Sequence, residues 1–335
     1  MSSGLIFVED TMPGITRRRS GRYWAYFDAE GERITDRDEI DRLNAIALPP
    51  AYRNAWFCPL PNGHIQATGH DDRGRKQYRY HPDFRARQDA AKYDRCTAFG
   101  HALPLLRARV ERDLANGGLG KDKAIAAVIR LLDLGRIRVG NVNYARENGS
   151  FGATTLRKRH AKVKGNVLKL EYKAKSGLMR RLQVTDRSLI RFVRRMQDLP
   201  GQSLFTYLDN EDQPHPVGSS DVNAYIRDAM GEDFTAKHFR TWSASVIAFE
   251  ALREADGHLP LKQLLEPVAE ALGNTPAISR KSYIHPALID CATSALDWPE
   301  DLPRQRATKY LSAAERGLIT FFESIEDQKT PKRAA

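Results

Sequence analysis

The chain has 335 residues, of which 41% are hydrophobic, so it is long enough for two domains and too apolar for a disordered chain. Its 53 Lys and Arg outnumber 42 Asp and Glu, and the net charge of +11 favours a polyanionic partner, although a basic surface also serves solubility alone. Three scattered cysteines argue against a disulfide framework or zinc module. No apolar run reaches ~18 residues, so we predict a cytoplasmic protein with no membrane segment.

The first part of the chain has the alternation and turn residues of β-strands. Aromatic residues fill 23–27, and the Pro-Asn-Gly turn at 61–63 separates two apolar runs, which predicts a hairpin. Gly74 predicts a turn before an alternating strand at 77–80. The three arginines at 17–19 suggest a solvated arm. We predict a small β-rich domain over residues 1–87.

Helical periodicity begins near residue 86. The apolar spacing predicts helices around 103–114 and 124–132, and further helices at 186–197, 220–230, 236–254, 259–272 and 305–325. The segment 167–184 instead predicts a β-hairpin with Ser176 and Gly177 at its tip. The fold class is therefore α+β, with a larger, mainly α-helical domain over 88–335 that contains one β-hairpin.

The segment around Tyr283 has signals for two helix ends. An apolar helical face ends at Gly273, and Thr275 with Pro276 resembles the cap and first residue of a new short helix. Pro286 ends this helix just beyond Tyr283. We predict that Tyr283 lies near a helix end, where it can face a groove.

Tyr283 and three basic residues, Arg138, Lys175 and Arg240, suit cleavage of a phosphodiester. A phenol can attack phosphorus, guanidinium groups can neutralise charge on the phosphate oxygens, and an ammonium can protonate a leaving sugar oxygen. Each residue also fits an ordinary role on its own: a core or surface tyrosine, an ion pair, a solvated lysine, or an arginine beside the core.

Five segments together closely resemble the small type IB DNA topoisomerases of the virus-like, bacterial kind. They are PNGHIQATGHDDRGRKQYRYH (61–81), GRIRVGNVNYARENGSFGATTLRKRH (135–160), YKAKSG (172–177), TAKHFRTW (235–242) and GNTPAISRKSY (273–283). The resemblance covers most of residues 20–290.

The resemblance implies a reaction and a role for each catalytic residue. Tyr283 would be the nucleophile, Arg138 and Arg240 the phosphate clamps, and Lys175 the general acid for the leaving 5′-oxygen. Supercoiled duplex DNA would be relaxed through a 3′-phosphotyrosyl intermediate without ATP, metal or another cofactor. Many family members have His at the position of Asn274. An asparagine can donate a hydrogen bond as a histidine can, but it cannot carry a charge.

The resemblance also implies that the two domains clamp duplex DNA, with Gln77, Tyr78 and Tyr80 at positions that touch it. To these we add three residues of the neighbouring basic run and one aromatic residue of the Arg138 segment, namely Arg73, Arg75, Lys76 and Tyr144. The alternative is a set of aromatic core residues beside a solvated turn. We expect a monomer associated with the nucleoid.

Two other functions stay open from the sequence. A tyrosine recombinase shares this chemistry, but recombinases usually have His where Lys237 stands and a helical DNA-arm domain. A non-catalytic duplex DNA-binding protein would keep the charge of +11 without needing Arg138, Lys175, Arg240 and Tyr283 together.

Overall fold

A computed structural model describes residues 4–72, 74–299 and 301–329, without the side chains of 88–92 and 327–329. The chain divides into two compact units, Met1–Lys92 and Tyr93–Ala335. The boundary predicted between residues 87 and 88 falls within helix α2, Pro82–Asp94. In the described part of the chain, no helix is both long and apolar enough to cross a membrane.

The first unit is built on an antiparallel sheet with the strand order β2-β1-β3-β4-β5. Its strands and first helix are β1 Ile15–Ser20, β2 Tyr23–Phe27, α1 Arg37–Ala45, β3 Arg53–Phe57, β4 Ile65–His70 and β5 Lys76–Tyr80. Helix α1 was not predicted, because few of its nine residues are apolar; of these, only Leu43 is buried. Leu43 packs with Tyr26 and Phe57 to form the core of this unit.

The prediction of a solvated arm at residues 17–19 was wrong, because these arginines lie in β1. Arg17 donates hydrogen bonds to the carbonyl oxygens of Leu48 at 2.8 Å and Pro49 at 2.5 Å. Its guanidinium carbon also lies 4.2 Å from the ring centroid of Trp24. Strand alternation turns Arg17 toward this partly buried surface while Arg18 and Arg19 stay exposed.

The second unit is mainly helical, so the predicted α+β fold class is confirmed. Its helices are α3 Cys96–Ala115, α4 Lys121–Gly135, α5 Val142–Asn148, α6 Arg187–Gln197, α7 Ser219–Met230, α8 Ala236–Glu254, α9 Leu261–Leu272, α10 Pro276–Ser282, α11 Pro286–Ala292 and α12 Ala313–Lys329. Its strands are β6 Ala161–Lys164, β7 Val167–Lys173, β8 Met179–Val184, β9 Thr206–Leu208 and β10 Pro214–Pro216. Strands β6, β7 and β8 form an antiparallel sheet that contains the predicted hairpin.

The last helix differs from its prediction over 305–325, because α12 begins only at Ala313. Ser312 and Glu315 explain this start. The Ser312 hydroxyl accepts from the main-chain N–H of Glu315 at 3.1 Å, and the Glu315 carboxylate accepts from the N–H of Ser312 at 2.8 Å. This reciprocal pair satisfies two amides that a helix start leaves without partners.

Candidate active site

Tyr283 is the first residue after helix α10. The hydroxyl of Thr275 caps α10 by accepting from the main-chain N–H of Ile278 at 3.3 Å, and Pro276 occupies the first turn. The backbone of Tyr283 is no longer helical, with φ of −133°, although its N–H still donates to the carbonyl oxygen of Ser279 at 3.1 Å. The phenol therefore lies at a helix end, as the sequence predicted.

A left-handed turn at Gly273 connects α9 to the segment that contains Tyr283. Gly273 has φ of +61°, a conformation that favours glycine, and the N–H of Asn274 donates back to the carbonyl oxygen of Ala269 at 2.9 Å. A Cβ atom at Gly273 would lie 3.0 Å from a guanidinium nitrogen of Arg180. The backbone conformation therefore favours glycine here, and a side chain would also require the Arg180 guanidinium to shift.

Arg138 and Asn274 are joined directly, since Nη2 of Arg138 donates to Oδ1 of Asn274 over 2.9 Å. The amide oxygen of Asn274 is thereby used, while its amide nitrogen can only donate. Within the described residues, Nδ2 of Asn274 is buried and has no hydrogen-bond partner. A buried donor without a partner costs about 1–3 kcal/mol. This nitrogen is therefore available to an acceptor such as a phosphate oxygen.

Arg240 is buried, at 3% exposure, and its guanidinium lies beside the nucleophile candidate. It donates to the carbonyl oxygens of Arg136 at 2.5 Å and Leu272 at 3.2 Å, and its Cζ lies 4.7 Å from the ring centroid of Tyr283. Among the described residues, no carboxylate forms an ion pair with Arg240. Burial lowers the pKa of Arg240 to about 10, with the charge of Arg138 acting in the same direction and Tyr283 opposing it. A buried cation without a counter-charge is a site for an anion.

The same charges act on the phenol. Burial raises the pKa of Tyr283, but the positive charges of Arg240 and Arg138 lower it, and the net pKa lies below its ordinary value. Two guanidinium groups therefore favour the phenolate, which is the form of tyrosine that attacks phosphorus.

Arg180 is a residue of this site that the sequence analysis did not identify. A narrow cavity is bounded by Arg138, Arg180 and Arg240, with Tyr172 and Phe151 in its wall. The signal was present in the alternation of β8, where Arg180 shares the less exposed face with Leu182 and Val184. A charged side chain on the inner face of a strand needs a polar partner. Arg180 lies at the wall of the candidate active site.

Lys175 is the catalytic candidate that stands apart. It begins a 3-10 turn at the tip of the β7–β8 hairpin, where Ser176 and Gly177 both have positive φ, of 65° and 78°. The Lys175 side chain is exposed. In the described part of the chain, no hydrogen bond joins its side chain to Tyr283 or Asn274. The structure therefore brings together Arg138, Arg240, Asn274 and Tyr283, and leaves Lys175 at the tip.

The aromatic DNA-contact candidates of the first unit lie on the edge strand β5. Tyr78 and Tyr80 are 43% and 46% exposed, and their rings stack with centroids 5.9 Å apart. The alternative interpretation as core residues was therefore wrong, because the face of β5 that contains both rings is exposed. Gln77, which precedes Tyr78, donates from Nε2 to the carboxylate of Asp71 at 3.1 Å.

The basic candidates nearby are held by carboxylates. Lys76 pairs with Asp10 at 2.5 Å, and Arg75 pairs with Asp71 at 2.6 Å. Arg73 lies outside the described residues. Tyr144, the candidate in the second unit, is on α5 and 41% exposed.

Comparison with known proteins matches both parts of the chain. Residues 23–71 match the family described as bacterial DNA topoisomerase IB, N-terminal domain. Residues 81–290 match the family described as eukaryotic DNA topoisomerase I, catalytic core. A DNA topoisomerase 1B from Acanthamoeba polyphaga mimivirus is 32% identical over 288 residues, which span 82% of this chain and 85% of the viral protein.

Among solved structures, the chain is similar to the XerH site-specific recombinase bound to its difH substrate. The post-cleavage complex has a TM-score of 0.39 at 14% identity, covering 58% of this chain and 51% of the recombinase. The pre-cleavage complex has a TM-score of 0.37 at 14% identity, covering 59% and 53%. The chain thus spans about half the length of these recombinases.

Proposed function

Because the chain belongs to the type IB DNA topoisomerase family, we propose that it relaxes supercoiled duplex DNA by transient cleavage of one strand. The observation that supports this most directly is the contact of Arg240 with Tyr283, at 4.7 Å between guanidinium and ring. A buried guanidinium without a carboxylate, beside a phenol of lowered pKa, suits attack on a phosphodiester.

In the cleavage step, the phenolic oxygen of Tyr283 bonds to phosphorus and the bond from phosphorus to the 5′-oxygen breaks. Arg138 and Arg240 stabilise the negative charge that develops on the nonbridging oxygens. The products are a 3′-phosphotyrosyl link and a free 5′-hydroxyl. In the reverse step this hydroxyl attacks phosphorus and restores the strand after rotation. The covalent link conserves the bond energy, so the proposed cycle needs no ATP.

Lys175 is proposed as the proton donor to the leaving 5′-oxygen. Its exposed position at a hairpin tip suits a residue that reaches the leaving oxygen only after the duplex has bound, because the tip can move without disturbing a packed core. A proton delivered in the transition state is worth roughly 10²–10⁴ in rate.

Asn274 is proposed to bind a nonbridging phosphate oxygen through Nδ2. Its Oδ1 is held by Arg138, which fixes the direction in which the amide nitrogen donates. Unlike the histidine found at this position in many family members, Asn274 does not titrate between pH 5 and 8. Its contribution to the rate should therefore be independent of pH over that range.

We propose that duplex DNA is bound by Gln77, by the exposed residues Tyr78 and Tyr80, by the basic run Arg73, Arg75 and Lys76, and by Tyr144. The net charge of +11 favours a phosphate-dominated interaction. We propose that the protein acts as a monomer at the nucleoid.

A plasmid assay tests this function against its alternatives. A supercoiled plasmid is incubated with the protein, with and without EDTA and without ATP, and one portion is denatured to detect a covalent protein–DNA adduct. A topoisomerase yields relaxed circles and an adduct in both conditions. A recombinase would require a specific paired site, and a non-catalytic binding protein would retard the plasmid without relaxing it or forming an adduct. Either outcome would contradict the proposal.

A further inference from the structure

Arg180 connects two segments of the site that are far apart in sequence. It lies on β8, where its register partner across the hairpin is Tyr172 on β7. Its Nη1 donates to the carbonyl oxygen of Glu270 at 3.1 Å, and its Nη2 donates to that of Ala271 at 2.5 Å. The hairpin that contains Lys175 is thereby bonded to the end of α9.

The accepting carbonyls belong to the last turn of α9. Such carbonyls have no partner inside the helix, and they form the negative end of the helix dipole, which favours a cation. Arg240 takes the next carbonyl in the chain, that of Leu272, at 3.2 Å. Arg180 and Arg240 therefore bind consecutive carbonyls just before Asn274, and both border the same cavity.

The two sides of this contact differ in how firmly they are held. Helix α9 is anchored in the core through Leu264, Leu265 and Val268, which are all buried. The hairpin tip is exposed, with Leu178 and Met179 at 57% and 55% exposure. Arg180 therefore restrains the hairpin against a fixed helix, and loss of its hydrogen bonds would free the hairpin more than α9.

We propose that Arg180 is a positioning residue, which holds the Lys175 hairpin against the end of α9 so that Lys175 can reach the leaving oxygen. Lys175 follows Tyr172, the register partner of Arg180, by three residues, so Arg180 holds the hairpin next to the tip that contains Lys175. This inference rests on the proposed role of Lys175 as proton donor. Arg180 acts through Lys175 and needs no contact with DNA.

The matched control is Arg181, the next residue on the same strand. Arg181 faces the other way and pairs with Glu171 at 2.9 Å, with 75% of its side chain exposed. Arg180→Ala and Arg181→Ala remove the same charge one residue apart. Single-turnover cleavage is measured with an ordinary strand and with one whose bridging 5′-oxygen is replaced by sulfur, because a thiolate leaves without a proton.

We expect Arg180→Ala to cleave the ordinary strand roughly 10- to 100-fold more slowly, the effect typical of a misplaced catalytic group. It should cleave the sulfur-containing strand at close to the wild-type rate, and Arg181→Ala should be unimpaired on both. The double variant Arg180→Ala with Lys175→Ala should be no slower than Lys175→Ala alone, because the group that Arg180 positions is already absent.

Equal impairment of Arg180→Ala on both substrates would overturn the inference, as would a rate equal to that of Arg181→Ala. If the alanine variant does not fold, Arg180→Lys takes its place. It should cleave the ordinary strand with a smaller defect and recover on the sulfur-containing strand. A defect of Arg180→Lys that does not recover on that strand would also overturn the inference. The proposed function is tested separately, since adduct formation by the wild-type protein and recovery of Lys175→Ala on sulfur do not depend on Arg180.

Discussion

The basic residues proposed to act on DNA differ between the two units in their counter-charges. In the first unit, Lys76 and Arg75 pair with the carboxylates of Asp10 and Asp71. In the second unit, Arg240 is buried and donates to main-chain carbonyls beside a phenol. The side chains of Lys76 and Arg75 are 39% and 31% exposed, so their charges remain accessible to a phosphate.

A buried guanidinium without a carboxylate behaves differently. Water does not screen its charge, so its effect on a charged transition state is larger than that of an exposed lysine. We therefore propose that the exposed residues of the first unit determine the affinity for DNA and that the buried residues of the second determine the reaction rate. Four experiments test this division, and the first has the largest expected effect.

Tyr283→Phe removes the attacking oxygen and leaves the ring. We expect relaxation and adduct formation to be abolished, while the affinity for duplex DNA is largely retained because phosphate contacts determine binding. Plasmid relaxation and a binding titration at one salt concentration measure the two effects. Relaxation by the Phe variant at the wild-type rate would show that another residue is the nucleophile.

Lys175→Ala should slow cleavage of an ordinary strand by roughly 10²–10⁴, the usual contribution of a general acid. With sulfur at the bridging 5′-position the defect should largely disappear. Arg240→Ala should stay slow on both substrates, because its charge acts on the nonbridging oxygens. Equal impairment of Lys175→Ala on both substrates would reassign Lys175 to binding or folding.

The pKa of Tyr283 tests the influence of the buried arginine. A difference titration of wild-type protein against Tyr283→Phe, followed by phenolate absorbance, should place the pKa of Tyr283 below the ordinary tyrosine value of about 10. In Arg240→Gln the pKa should rise, because burial still disfavours the phenolate and one positive charge is gone. An unchanged titration would show that Arg240 does not act on the phenol.

The smallest effect is expected at the surface of the first unit. Lys76→Ala should weaken duplex binding and reduce the slope of log affinity against log salt by about 1, without changing the cleavage rate of bound DNA. Asp10→Asn should have the opposite effect on affinity, because it removes the carboxylate that holds Lys76. A change in cleavage rate for Lys76→Ala would contradict the division between the two units.

Local signals in the sequence were sufficient for most of the secondary structure around the site. The Thr275–Pro276 start of α10 and the glycine end of α9 are encoded within a few residues, and both were confirmed. Helix α1 and the true start of α12 were missed, because one contains few apolar residues and the other depends on a side-chain cap.

The sequence by itself determined the family, the order of its motifs and the residue types of the proposed chemistry, because these depend on residue identity and spacing along the chain. Only the tertiary structure decided that Arg138 bonds Asn274, that Arg240 lies over Tyr283, and that the carbonyls ending α9 hold Arg180 and Arg240. These contacts join residues up to 136 positions apart, and burial and charge at such a meeting point depend on packing, which no local pattern encodes.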